Sequence, residues 1–186
     1  QQGSAASAHD SLTPAMSKLI IMAHVKDGLE MADRYGLPPA IKQFIAEHHG
    51  TTLVQYFYHE ATKKHAENGE ESPPEAEYRY AGPKPRSKET AIVMLADALE
   101  GLVRSVKDPT AARIGVAARE AVMKRLMDGQ LDESGLTLSE LHKIRESLTK
   151  TLLSVYHTRI PYPPVEGPEG EHGTKRPVGS EGQDGV

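Results

Sequence analysis

The 186-residue sequence contains no cysteine and no tryptophan, and it has only two phenylalanines. Without cysteine there are no disulfides and no thiolate metal ligands, so any metal site must use histidine and carboxylate side chains. The missing cysteines also fit a reducing, cytosolic setting. Because aromatic residues are few, a core must consist mainly of Leu, Ile, Val, Met and Ala, which favours packed helices over a β-sandwich.

Long apolar runs and blocks of like charge are also missing. No segment approaches the roughly 18 apolar residues that span a bilayer, and the polar start QQGSAASAHD lacks the features of a signal peptide. The formal net charge is only −4, and no basic block indicates a nucleic-acid surface or a polybasic membrane anchor. We therefore expect a soluble piece without a nucleic-acid partner.

The spacing of apolar residues predicts an all-α fold with about six helices. Capping residues, prolines in first turns and terminal glycines mark the helix ends. The predicted helices run from Thr13-Pro14 to about Tyr35, from Leu37-Pro38-Pro39 to Gly50, from Thr51 or Thr52 to Asn68-Gly69, from Ser87 through Val106, from Asp108-Pro109 through Met127, and from the capping box of Thr137 and Glu140 to about His157.

Two segments lack helical periodicity. Residues 69–86 are rich in proline and predict an irregular loop, which at such length is often functional or mobile. Residues 161–186 are rich in Pro, Gly and charge and predict a disordered tail. We expect one domain over residues 1–160, followed by that tail.

Three of the nine histidines, His24, His48 and His49, fall on apolar helical stretches or at their ends. Imidazoles in such places can bind a metal ion. His24 can equally be a buried histidine satisfied by hydrogen bonds, with Asp27 one turn later as a candidate partner. The adjacent pair can equally contact the carbonyls at the end of its helix.

Asp97 interrupts the apolar run AIVMLADAL, where a buried carboxylate needs a cation or a hydrogen-bonding partner. The alternative is a polar helix face shared with Arg104 or Lys88. Histidines on two helices and a buried aspartate on a third would form a ligand set that suits Zn, Mn or Fe. Two such ions convert water into a nucleophile and neutralise the phosphate it attacks.

The segment GPKPRSKE presents Lys84, Arg86 and Lys88 around Ser87, at the start of a predicted helix. Cations and free N–H groups at a helix amino terminus can bind an anion such as phosphate. An ordinary solvated turn with a capped helix is the competing interpretation.

Four segments together resemble a known family: AHVKDG, FIAEHHGTTLVQYFY, YRYAGPKPRSKETAIVMLADALEGLVR and GQLDESGLTLSEL. They are similar to the cytoplasmic HD domain of the seven-transmembrane HD proteins, the PgpH-type cyclic di-AMP phosphodiesterases. The similarity covers roughly residues 8–160. The combination of HHGT, GPKPRSKE and the aspartate within a helix is much more specific than any one of these motifs.

The resemblance implies an all-α HD domain in which two divalent transition-metal ions, usually iron or manganese, hydrolyse cyclic di-AMP to pApA through metal-bound water. By residue matching it implies that His24, His48, His49 and Asp97 are metal ligands. It also implies a parent protein anchored in the bacterial inner membrane with this domain on the cytoplasmic face. A homodimer is compatible with the sequence.

The family's ligand set begins with an upstream His and an adjacent His-Asp doublet, and neither is found in this chain. His9-Asp10 resembles a segment downstream of that doublet, so we assign it no metal role. We expect that the chain begins partway through the domain, and that the piece alone binds metal poorly and turns over little.

Two other functions remain open. A non-catalytic helical module that senses or binds a cyclic nucleotide through the GPKPRSKE segment would keep the fold without hydrolysis. Another HD chemistry, such as nucleotide dephosphorylation, would use the same ligands, because residues that hold two metals do not select the nucleotide.

Overall fold

The computed structural model describes residues 14–157. They form six α-helices, which confirms the predicted all-α class. The helices are α1 (Pro14–Arg34), α2 (Pro39–Glu47), α3 (Gln55–Glu67), α4 (Lys88–Ser105), α5 (Ala111–Met127) and α6 (Leu138–His157), with a short 3-10 helix (Glu75–Tyr78) between α3 and α4. Within these residues there is no β-strand, only an isolated antiparallel bridge between Leu53 and Arg79. The predicted tail, residues 161–186, lies outside the described residues.

Local capping signals predict several helix ends correctly. Ser87 precedes α4 and accepts a hydrogen bond from the Thr90 backbone N–H, as an N-cap should. At the start of α6, Thr137 and Glu140 exchange the two hydrogen bonds of a capping box. Gly36 after α1 has a φ of +64°, a conformation that glycine adopts without strain.

Two predicted helix starts are wrong by a few residues. Neither Thr51 nor Thr52 caps α3, because this segment instead pairs with the chain after the 3-10 helix. The Thr52 carbonyl accepts from the Tyr80 N–H, so α3 begins only at Gln55. Likewise α5 begins after Thr110, whose hydroxyl accepts from the Arg113 N–H, and not at Asp108-Pro109.

Helix α4 supplies the centre of the core, where it packs against α5 and α6. The fully buried apolar residues of α4 are Ala91, Met94, Leu95, Leu99 and Val103. Around them lie Ile114, Ala117, Ala118, Ala121 and Val122 of α5, and Leu141, Ile144, Leu148 and Leu152 of α6. Two other apolar residues of α4, Ile92 and Leu102, are 37% and 38% exposed.

A smaller cluster holds α3 against the 3-10 helix and α1. Phe57 and Ala61 of α3 are buried with Tyr78, and the partly buried Ile21 and Leu53 pack on them. Phe57 is therefore a core residue. None of the six helices combines the length with the apolar composition that a bilayer crossing requires.

The carboxylate of Glu47, the last residue of α2, joins α2 to the start of α4. It is completely buried. It accepts hydrogen bonds from the Arg86 backbone N–H at 2.9 Å, the Arg86 Nε at 3.1 Å, the Thr90 hydroxyl at 2.8 Å and the Gln43 amide at 3.3 Å. These donors hold the pKa of Glu47 low, although burial opposes them. A charged group at this position is therefore fully satisfied.

We expect Glu47→Ala to lower the free energy of unfolding by about 3 kcal/mol, because it leaves several buried donors without an acceptor. Urea unfolding followed by circular dichroism measures this loss. Glu100→Ala is the matched control, since Glu100 forms an exposed ion pair with Arg104 within one helix. Equal effects of the two substitutions would contradict the role given to Glu47.

Candidate metal centre

The structure brings together three of the four predicted ligands. His24 lies in the middle of α1, and His48 and His49 directly follow the last residue of α2. One ring nitrogen from each lies within 4.8 Å of the other two. Among residues 14–157 this is the only group of three or more His, Asp or Glu side chains so placed. We call it the histidine cluster.

The ring nitrogens of His24 and His48 are oriented by backbone carbonyls. The Nδ1 of His48 is 2.8 Å from the Ile45 carbonyl oxygen, and the Nδ1 of His24 is close to the Ile21 carbonyl oxygen. A carbonyl oxygen only accepts, so in the neutral ring each Nδ1 carries the proton. Each Nε2 therefore presents a lone pair. The contact with helix carbonyls that was the alternative to metal binding is therefore present, but it leaves each Nε2 able to bind a metal ion.

The two Nε2 atoms lie 3.2 Å apart and face each other. Two lone pairs at this distance repel unless a proton or a metal ion lies between them. A tetrahedral ion with metal–nitrogen bonds of about 2.0–2.1 Å holds two ligand nitrogens roughly 3.3 Å apart. The spacing of His24 and His48 therefore fits a shared ion.

His49 completes the cluster from a more buried position. Its side chain is 18% exposed, and its ring centroid lies 4.1 Å from that of His48. Burial, helped by the nearby His48, His24 and Arg125, lowers the pKa of His49 to about 3. The ring is therefore neutral at physiological pH, the form in which histidine binds metals.

The structure favours the second of the two positions considered for Asp97, because its side chain is 49% exposed rather than buried. Leu95 and Leu99, each two residues away along α4, lie in the core. Helical spacing therefore turns Asp97 away from the core. Asp97 Oδ2 lies 3.5 Å from His49 Nδ1. Asp97 thus borders the histidine cluster but is not within the group of three.

The alternative partners considered for Asp97 are engaged elsewhere. Arg104 pairs with Glu100, and Lys88 Nζ lies 2.5 Å from Glu140 Oε1. His24 likewise is not buried, and its contacts are with the Ile21 carbonyl and His48 rather than with Asp27, which is exposed. His9-Asp10 lies outside the described residues.

Tyr80 lies against the cluster, although no role is predicted for it from the sequence. Its ring stacks on His49 with centroids 4.4 Å apart and an interplanar angle of 21°. Burial, together with the charge of Asp97, raises the pKa of Tyr80 to about 12, so its hydroxyl stays protonated. By contrast, Tyr56 is 69% exposed and Tyr58 packs against Tyr78. Tyr80 is the aromatic residue at the site.

The GPKPRSKE segment packs beside the loop that follows His48 and His49. A Cβ added at Gly82 would meet the Thr51 side chain at 3.0 Å, so the two loops touch. All three predicted phosphate-binding cations have carboxylate neighbours, Lys84 with Asp132 at 3.9 Å, Arg86 with Glu47, and Lys88 with Glu140. Arg86 remains 58% exposed. These pairs show how the loop is held in place.

Comparisons with known proteins find a matching family and related proteins. The family model for the HD domain matches residues 4–102. The chain is 42% identical over 155 residues to the cyclic-di-AMP phosphodiesterase PgpH of Listeria monocytogenes, and equally so to PgpH of Bacillus subtilis. These alignments cover 83% of this chain and 21% of each relative. The chain thus spans about a fifth of the length of the curated relatives it matches.

A solved structure shows the same fold. The crystal structure of the L. monocytogenes PgpH HD domain in complex with cyclic-di-AMP superimposes with a TM-score of 0.77 and 39% sequence identity. The match covers 83% of this chain and 70% of that chain. The similarity in sequence and the similarity in fold therefore point to the same relatives.

We expect His49 to stay neutral in the metal-free protein as the pH falls from 7 to 5. The folded-state pKa is about 3 and the ordinary value is 6.5. The unfolded chain therefore takes up a proton here that the folded chain does not, and stability falls as the pH drops through this window. Ring proton–carbon NMR spectra follow the titration. A His49 signal that titrates near 6.5 would contradict the buried site.

Proposed function

The chain belongs to the HD-domain family, and on that premise we propose that it carries metal ligands of a phosphodiesterase domain that hydrolyses cyclic di-AMP to pApA. HD domains are metal-dependent hydrolases. The relatives named above are cyclic-di-AMP phosphodiesterases, which supports this substrate. We propose that residues 1–160 contribute to this domain.

The observation that carries the proposal is the arrangement of His24 and His48. Their Nδ1 atoms are tied to carbonyl oxygens and their Nε2 atoms face each other at 3.2 Å. Carbonyl bonding of the far nitrogen is the usual way in which a protein fixes a metal-binding histidine. His49, neutral and adjacent, supplies a third nitrogen.

We propose divalent transition-metal ions, iron or manganese, as the cofactors. The donor set of imidazoles with a carboxylate suits such ions. We propose two of them, since the neighbouring His48 and His49 can serve two centres, and Asp97 lies beside His49 as a carboxylate ligand. Bound ions would supply an activated water and neutralise the phosphate.

The remaining groups of the site bind and orient the substrate in this proposal. The protonated hydroxyl of Tyr80 can donate a hydrogen bond, while its ring holds His49 from one side. Arg86, half-exposed and fixed through its Nε by Glu47, is the loop cation that we propose for phosphate binding. The ion pairs of Lys84 and Lys88 favour a structural role for those two residues.

The second candidate function is a non-catalytic module that binds a cyclic dinucleotide. The half-exposed Arg86, held in place by Glu47, is compatible with recognition that needs no metal. Metal dependence of ligand binding separates the two functions.

We expect His48→Ala to weaken Mn²⁺ binding at least tenfold, because it removes one of the two facing nitrogens. Equilibrium dialysis followed by elemental analysis measures the affinity. His142→Ala is the control, since His142 is an exposed residue of α6 that neighbours Glu146. Unchanged metal binding in His48→Ala would refute the proposed ligand set.

We expect cyclic di-AMP to bind the Mn²⁺-loaded protein and to lose most of its affinity in excess chelator. Titration calorimetry under both conditions measures binding, and chromatography of the same samples detects pApA. Equal binding with and without metal, without pApA, would favour the binding module. No binding under either condition would overturn both functions.

A further inference from the structure

Arg125 is a charged residue on the buried face of α5. It follows Ala118, Ala121 and Val122, which are all buried, at the spacing that continues their face of the helix. Its Nε is buried and has no hydrogen-bond partner within residues 14–157. An unpaired guanidinium N–H in this setting is costly unless a ligand uses it. The last turn of α5 therefore carries a cation without an internal acceptor.

The charge of Arg125 acts on the histidine cluster. Burial lowers the pKa of Arg125, and the nearby charges of Asp128, Asp97 and Tyr80 oppose that shift. The positive charge of Arg125 in turn helps to keep His49 unprotonated. The guanidinium thus lies close to the cluster, on the side bordered by Asp97 and Tyr80.

Both nearby carboxylates are directed to other partners. Asp128 accepts two hydrogen bonds from Arg79, at 2.8 and 3.1 Å. Asp97 directs one oxygen toward His49. Neither forms a salt bridge with Arg125 within 4 Å in the described part of the chain. The positive charge of Arg125 therefore remains available to an anion.

A groove gives access to Arg125 from solvent. Its volume is about 340 Å³, and its walls include Arg125, its neighbour Lys124, and Arg79 with its two carboxylate partners, Asp128 and Glu75. Burial and the charge of Arg125 lower the pKa of Lys124. Lys124 forms no salt bridge with any described residue. Two adjacent cations that lack carboxylate partners make this groove attractive to an anion.

We propose that Arg125 is a phosphate-binding residue, whose guanidinium holds a phosphoryl oxygen of a ligand that lies between the groove and the histidine cluster. A guanidinium presents its donors in a planar fork that matches phosphate oxygens. Since no acceptor within residues 14–157 holds the Nε, that N–H has no hydrogen bond to lose when such a ligand binds. That this phosphate belongs to a cyclic dinucleotide rests on the proposed function, whereas its binding to Arg125 does not.

The test is phosphate binding by the full chain, measured by calorimetry with inorganic phosphate in the presence and absence of Mn²⁺. Arg125→Met should weaken phosphate binding at least tenfold and leave Mn²⁺ affinity unchanged. Arg125→Lys, which keeps the charge but loses the fork, should fall between wild type and Arg125→Met. Arg119→Met is the control, since Arg119 is exposed on the same helix, and its phosphate affinity should stay within twofold of wild type.

Three results would overturn the proposal: wild type that binds no phosphate, Arg125→Met that binds as well as wild type, or Arg119→Met that is weakened equally. If Arg125→Met fails to fold, Arg125→Lys decides, because unchanged phosphate affinity there contradicts recognition by the fork. Cyclic di-AMP binding, measured on the same proteins, separates the two proposals. A phosphate site lost in Arg125→Met, in a protein that ignores cyclic di-AMP, would support Arg125 and refute the substrate.

Discussion

The buried carboxylate of Glu47 is the interaction on which the geometry of the site depends. It ends the helix that leads directly into His48 and His49, and it accepts hydrogen bonds from Arg86 and Thr90 at the start of α4. Asp97 lies two turns further along α4, on the same side as Thr90. One carboxylate therefore sets the histidine pair, the GPKPRSKE loop and Asp97 relative to one another.

The histidine cluster combines two kinds of control over its rings. Backbone carbonyls one turn earlier fix the tautomer of His24 and His48 and direct their Nε2 atoms toward each other. Burial and the stacked ring of Tyr80 hold His49 neutral and in place. The first control comes from each residue's own helix or helix end, and the second requires contacts from distant parts of the chain. The cluster is thus preorganised to accept a cation.

This difference between local and long-range contacts explains which features of the structure can be predicted from the sequence. Helix ends that depend on nearby residues, such as the Ser87 cap and the Thr137–Glu140 box, are predictable, and so are the three histidines. The start of α3 depends on long-range pairing with the segment after the 3-10 helix, so sequence spacing alone predicts it wrongly. Tyr80 lies in a segment without periodicity and gives no signal. Arg125 can be found from the sequence, because it is a charged residue on the apolar face of a predicted helix.

We propose that His24 and His48 share a metal ion through their facing nitrogens. Anomalous diffraction from crystals of the Mn²⁺-loaded protein tests this arrangement most directly. We expect an anomalous peak about 2 Å from the Nε2 atoms of both His24 and His48, with His49 bordering the same site. A well-occupied manganese peak elsewhere, with the facing histidines unliganded, would contradict it.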